Sequence, residues 1–230
     1  GAITVPAAPS ADPVALEKAA DTLAAANRVA IIADFAARPP HGWNHVIELA
    51  ETLGASVWDC GSRLNFPSDH PLNLTSDPDG CYKDVDAVLT LDIADFEKPT
   101  HVRDIATRTV VSKVPASASC IDIGFTDIVI SKWSMGYARP FYGQQRMTAD
   151  RVTTAPQLTK LLKARIANTR GLAEKIAKRK EEIGKRHAEI RAKWGKEAER
   201  GWDSKPMSVP RLASEVWETI KGEDWVLTAG

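Results

Sequence analysis

Four short apolar runs, separated by helix-length or longer intervals, constrain this chain more than any other feature. They are Val29 to Ala33 (VAIIA), Ala55 to Trp58 (ASVW), Val85 to Leu91 (VDAVLTL) and Cys120 to Ile123 (CIDI). A short continuous apolar run is the pattern of a strand buried on both faces, which is how strands of a helix-covered parallel sheet behave. Parallel neighbours need long crossovers, and the intervals supply them. Ala15 to Ala26 is rich in Ala, Leu, Glu and Lys behind Asp12 and Pro13, which suits an N-cap with proline in the first turn. Trp43 to Leu53 carries Val46, Ile47, Leu49, Ala50 and Leu53 on one stripe and ends at Gly54, a helix stop. The expected fold class is therefore α/β, an open parallel sheet flanked by helices.

Ligands of such sheets bind beyond the carboxyl ends of the strands, where strand order reverses. The residues there are Asp34 and Phe35, Gly61 and Ser62, Asp92 to Asp95, and Asp122 to Gly124. A nucleotide crevice, if the chain has one, falls on Asp34, Gly61, Asp95, Asp122 and Gly124, with Asp122 placed to hold a ribose hydroxyl. A turn or cap is the commoner role for such an Asp. The segment after the first run is DFAARPP, without the glycines that let a pyrophosphate reach backbone amides, and the chain has neither GxGxxG nor a P-loop. Asp34, Asp92 and Asp122 are expected along one edge of the sheet. Two of those charges ~5 Å apart repel by about 3 kcal/mol at an effective dielectric of 20. Arg38, held before Pro39 and Pro40, is the one cation at the first exit. Dinucleotide binding through that turn is disfavoured.

Other constellations carry less. His41 and His45 lie four apart, but no carboxylate or cysteine completes a zinc set. Cys60, Cys81 and Cys120 form no CxxC pair and read as reduced thiols. Asn73-Leu74-Thr75 is a glycosylation sequon, read as chance because no signal peptide precedes it. No stretch approaches the ~18 apolar residues of a membrane span, and a cytoplasmic location is expected. With 43% apolar and 26% charged side chains the chain is neither disordered nor collagen-like.

Net charge is zero, yet residues 160 to 200 hold fourteen Lys and Arg against six Glu. From Pro156 to Gly201 the pattern is one long helical stretch with a thin seam at Ile176, Ile183 and Ile190, interrupted by Gly171, Gly184 and Gly195. Its basic groups encircle the helix and few aromatics interleave them, so a connector packed on a neighbouring domain is favoured over a nucleic-acid partner. A helix at Val209 to Ile220 and a strand-like WVLTA follow, and the sequence stops at Gly230 where a βα turn should begin. The chain is expected to be a fragment.

Residues 15 to 94 resemble the middle domain of thiamine-diphosphate-dependent enzymes of the acetolactate synthase and benzoylformate decarboxylase type. The carrying segments are ALEKAADTLAAANRVAIIA, LAETLGASVWD, FPSDHPL at Phe66 to Leu72, VDAVLTLD and CIDIG. MTADRVTTAPQLTKLL, from Met147, is similar to the family's closing segment, and PMSVPRLASEVWETIKGEDWVLTAG resembles the opening of the following cofactor domain. The resemblance implies an interdomain linker at 1–14, a Rossmann-like central domain at 15–166, a basic helical connector at 167–205 and the start of a cofactor-binding domain at 206–230. It implies a central-domain fragment of a carboligase or decarboxylase, structural in role and inactive alone. The thiamine-activating glutamate and the GDG-type magnesium motif belong to the family's other domains, so thiamine diphosphate and Mg are expected in the parent and no cofactor here. Other domains of the same chain are the expected partners, in a homo-oligomeric parent. Some members bind FAD or ADP in the middle domain, and a non-flavin relative is favoured here. This sequence departs from them at DFAARPP and at Asp92, where a glycine is usual. A nucleotide-binding domain and a nucleic-acid-binding protein are the two alternatives.

Overall fold

The computed structural model describes residues 7–37, 43–61, 65–125 and 143–225. In chain order the elements are α1 (Pro13–Ala25), β1 (Val29–Ala33), α2 (Asn44–Leu53), β2 (Ser56–Asp59), α3 (Pro78–Tyr82), β3 (Ala87–Leu91), α4 (Glu97–Thr100), β4 (His101–Arg103), β5 (Val110–Ser112), β6 (Ser119–Gly124), β7 (Gln145–Thr148), α5 (Arg151–Asn168), α6 (Leu172–Glu199) and α7 (Val209–Ile220). All four apolar runs become strands of one parallel five-stranded sheet in the order β2-β1-β3-β6-β7. β1 and β3 are buried at every position because both faces are covered, which is why neither run alternates. The order reverses between β1 and β3.

One face is covered by three helices, with α5 between α1 and α2. Leu16, Ala19, Ala20 and Leu23 of α1, Val46, Leu49, Ala50 and Leu53 of α2, and Leu158 and Leu162 of α5 close over Ile31, Leu89, Ile121 and Ile123. Capping follows the sequence: Asp12 accepts from the Ala15 amide at 2.9 Å, and Asp150 from Val152 at 2.7 Å. Residues 9 to 11 lie along the start of α5, where Asp150 N donates to Pro9 O at 2.8 Å and Ala11 N to Thr154 Oγ1 at 3.3 Å. The other face carries α3, whose Tyr82 ring sits 5.4 Å from Trp58 and whose Cys81 carbonyl accepts from Ser56 at 2.9 Å.

The segment FPSDHPL has a structural use. Val57 N donates to Leu72 O and Leu74 N to Val57 O, at 2.9 and 3.0 Å, so the chain after the motif bridges the outer edge of β2. His70 holds the turn, with its Nδ1 accepting from Leu72 N, its Nε2 3.5 Å from Glu51 and its ring against Phe66. Protection of an open strand edge in this way prevents pairing with foreign strands.

Two expectations need correction. The charged stretch read as one helix from Pro156 to Gly201 is two: α5, capped by Asp150, starts at Arg151, five residues before Pro156, and Gly171, at φ +77, separates α5 from α6. Strand β7 and the antiparallel β4–β5 pair went unread, since QRMT buries only Met147 and the β4–β5 strands are three residues each. Expectations at Arg38, Pro39, Pro40, His41, Ser62 and most of WVLTA lie outside the described residues.

The chain forms two compact units, 1–185 and 186–230. The first half of α6 belongs to the first unit, where Ile176 is buried and Arg179 donates to the carbonyls of Ala26 and Asn27 at 3.1 and 3.2 Å. Asp86 binds the amides of Asn27 and Arg28 at the same end, joining the entrances of β1 and β3. In the second unit α7 is capped by Ser208, and Val209, Leu212, Val216 and Trp217 are exposed. No helix among the described residues is long and apolar enough to cross a membrane.

Gly54 ends α2 at φ +58, and a Cβ there would stand 2.8 Å from the Ile176 carbonyl oxygen. Gly54→Ala is expected to lower stability by about 2 kcal/mol through the left-handed backbone and this contact together. Gly54→Asn, which tolerates the backbone, should recover only part of that loss in urea denaturation. Full recovery would show that the contact with α6 does not matter.

Candidate functional site

The carboxyl edge at the β1/β3 reversal is where a sheet of this order holds a ligand. Here the two exits are joined. Asp34 N donates to Leu91 O at 3.2 Å, Phe35 N to Asp92 O at 3.3 Å, and Ala94 N to Asp34 Oδ2 at 3.2 Å. The ladder thus continues past both strands and occupies the amides of the first residues beyond them.

The next amides of the β1 exit are engaged from the other side. Asn65 is fully buried, and its Oδ1 accepts from Ala36 N at 2.9 Å and Ala37 N at 3.2 Å. Its Nδ2 donates to Asp59 Oδ1 at 2.8 Å, and the same carboxylate accepts from the amides of Gly61, Asn65 and Phe66. Asp59 ends β2, so one side-chain relay ties the β2 exit to the β1 exit. A nucleotide pyrophosphate needs free amides or cations at this turn. Among the described residues the amides are already donated, and the residues present do not fit a nucleotide there. Sequence reading missed Asp59 and Asn65, and their only signal was an Asp closing an apolar run followed six residues later by Asn.

Asp92 departs from the expected row of charges. It sits at φ +50, in the left-handed region where glycine is favoured and Asp is among the tolerated exceptions. Its carboxylate lies 3.8 Å from Arg151 Nε, both side chains being almost wholly buried, at 4% and 1% exposure. The repulsion expected between Asp34 and Asp92 is corrected accordingly: Arg151, the first residue of α5, neutralises Asp92. Gly124 is explained by the same device, because a Cβ there would meet Asp92 Cα at 3.0 Å. Gly124 makes room for Asp92 rather than for a phosphate.

Asp122 is also corrected. It is the fourth residue of β6, inside the strand rather than at its exit, in register with Thr90 and Arg146. Thr90 Oγ1 donates to Asp122 Oδ1 at 2.6 Å, and Arg146 Nε lies 3.9 Å from Oδ2. Burial pushes its carboxyl up to about 6, against the opposing pull of Thr90 and Arg146. Of the expected residues, Asp34 and Asp95 come together beside the half-buried Cys60, whose amide donates to Ala33 O at 2.9 Å. Gly61 follows it, exposed, at φ +78. Asp95 Oδ1 accepts from Glu97 N and Lys98 N at the start of α4. Burial, then the charges of Asp34 and Asp59, pushes the Cys60 thiol far up from its ordinary range. No group of three or more His, Cys, Asp or Glu among the described residues is arranged to hold a metal ion, and His45 lies half-buried on α2.

No protein-family model and no curated protein matches the chain. Among solved structures it is similar to a putative thiamin diphosphate-dependent enzyme from Mycobacterium smegmatis, at 18% identity and a TM-score of 0.50 over 70% of this chain and 30% of that one. It is also similar to benzoylformate decarboxylase from Polynucleobacter necessarius, at 17% identity and a TM-score of 0.49 over 70% and 29%. The first likeness is one of fold, a helix-flanked parallel α/β sheet. The chain spans about 30% of the length of that solved structure.

Two outcomes are expected. Arg151→Met removes the buried cation 3.8 Å from Asp92 and should cost about 3–5 kcal/mol in urea denaturation. Adding Asp92→Gly to that variant should restore part of the loss, since it removes the carboxylate that Arg151 faces and suits the positive φ. For Asp122 the folded carboxyl keeps its proton up to about pH 6, whereas the unfolded one releases it near the ordinary value of 3.8. The folded state therefore holds more protons across that window, and stability falls as pH rises through it. Asp122→Asn, which has no charge to bury, should gain on the native chain from pH 4 to 6 and then level off, by at most about 3 kcal/mol. Parallel curves for the two proteins would refute this origin of the pH dependence.

Proposed function

We propose that this chain is the central domain of a thiamine-diphosphate-dependent carboligase or decarboxylase, where it packs between the other domains and is inactive alone. The observation that carries the reading is the closed β1/β3 exit. A sheet whose strand order would suit a nucleotide has its turn amides donated to Asn65 and its two exits bonded to each other. Such an edge supports a structural use of the fold. The fold likeness to part of a thiamin diphosphate-dependent enzyme supports the parent class. The 30% span of that structure supports a domain of a longer protein. In this reading thiamine diphosphate and Mg are held by other domains of a cytoplasmic, homo-oligomeric parent. The linker at 1–14, the connector at 167–205 and the segment from 206 onward lead to those domains.

Titration calorimetry of the chain with thiamine diphosphate and magnesium is expected to give no heat of binding, and micromolar affinity would overturn the reading. The purified chain is expected to be colourless. Stoichiometric absorbance at about 450 nm, the flavin band, would instead establish the nucleotide-binding alternative.

A further inference from the structure

We propose that a small cavity at the amino edge of the sheet, opposite the edge described above, binds a single chloride ion. The cavity, of about 10 Å³, lies where the first half of α6 meets the entrances of β1, β2 and β3. Arg28, just before β1, Lys83, just after α3, and Arg179 on α6 all line it. Three cations from three elements thus face one space, and no carboxylate lines it among the described residues. Two acids lie near. Asp86 acts on Arg179 through its charge, but its oxygens accept from the amides of Asn27 and Arg28. Glu182 pairs with Arg28 Nη2 at 3.4 Å. Three positive charges against two negative ones leave the surroundings of the cavity net positive.

Arg179 carries the argument. It is 6% exposed, and its Nη1 donates to the carbonyls of Ala26 and Asn27. Its Nε is buried without a hydrogen-bond partner. Such a donor is rare in a native protein and points to a missing group. A guanidinium only donates, so the missing group is an acceptor. Size then narrows the choice, because a space of about 10 Å³ has room for one water or one monatomic ion and not for phosphate or sulfate. Charge decides between these two. A water would leave the positive walls uncompensated, whereas chloride accepts from several donors at once and supplies the opposite charge. Burial already holds the Arg179 guanidinium below its ordinary pKa, as expected of a cation short of counter-charge. An ion here would join α6 to the strand entrances beside the two carbonyl bonds of Arg179.

Sodium chloride titrated into the full chain, against sodium gluconate at matched ionic strength and pH, tests this. Chloride is expected to slow amide hydrogen exchange in residues 172–185 of α6 and to raise the melting temperature by about 3–6 °C at about ten times its half-saturating concentration. Bromide should act alike and gluconate should do neither. Arg179→Lys keeps the charge but not the Nε–H, and should remove the chloride-specific part of both responses. Lys83→Gln, at an exposed side chain, should raise the half-saturating concentration about threefold or more, and stands in if Arg179→Lys fails to give a native circular dichroism spectrum. In crystals grown with bromide, an anomalous peak is expected beside Arg179 Nε. The proposal is overturned by equal responses to chloride and gluconate, which would mean screening alone, or by no chloride-specific response up to about 0.5 M. An ordered water without anomalous signal in the cavity, or an unchanged response in both variants, overturns it as well.

Discussion

The buried pair of Asp92 and Arg151 is the contact on which the arrangement of the first unit turns. Arg151 opens α5, and Asp92 follows the central strand β3, so their attraction fixes the start of the middle helix over the point where strand order reverses. A cation at a helix N-terminus opposes the helix dipole. Asp92 and the capping Asp150 offset this. With α5 so placed, Leu158 and Leu162 reach the core, and its flanks reach α1 through Arg165 with Glu17 and Asp21, and α2 through Lys163 with Glu48. Those surface pairs add little energy by themselves. Gly124 and the strained Asp92 backbone are secondary adjustments that let the pair fit.

The polar groups of the sheet edge are mostly bound to one another. Asp59, Asn65 and Asp92 are saturated or paired, and each joins one loop or helix to another. Asp34, Asp95 and Tyr82 each keep one buried oxygen without a hydrogen-bond partner.

The sheet was legible in the sequence because VAIIA and the AVLTL of the third run are buried on both faces, and burial of that kind leaves a nearly continuous apolar signature. Helix limits were legible where a cap marks them, as at Asp12, Gly54 and the Val209–Ile220 segment. The edge strand β7 was not, since it buries one side chain in four. Strand exits were located to within two residues, but the destination of each aspartate was not legible. Asp34, Asp92 and Asp122 have the same chemistry and similar local contexts. What separates them is Arg151, far along the chain, and the register that sets Asp122 beside Thr90 within the sheet. Such pairings belong to tertiary structure and leave no mark in a local window.

The placement of α5 between two helices that precede it in sequence imposes an order on synthesis. A ribosome delivers every strand of the sheet, together with α1 and α2, before Arg151 emerges. At about 5–20 residues per second the 18 residues of α5 take about 1–4 s to be made. During that interval Leu23, Leu49 and Ile31 wait for the helix that closes over them. The nascent chain is then a sheet with an unfilled furrow, and residues 9 to 11 have not yet met the helix they lie against. For those seconds this apolar surface stays open to water.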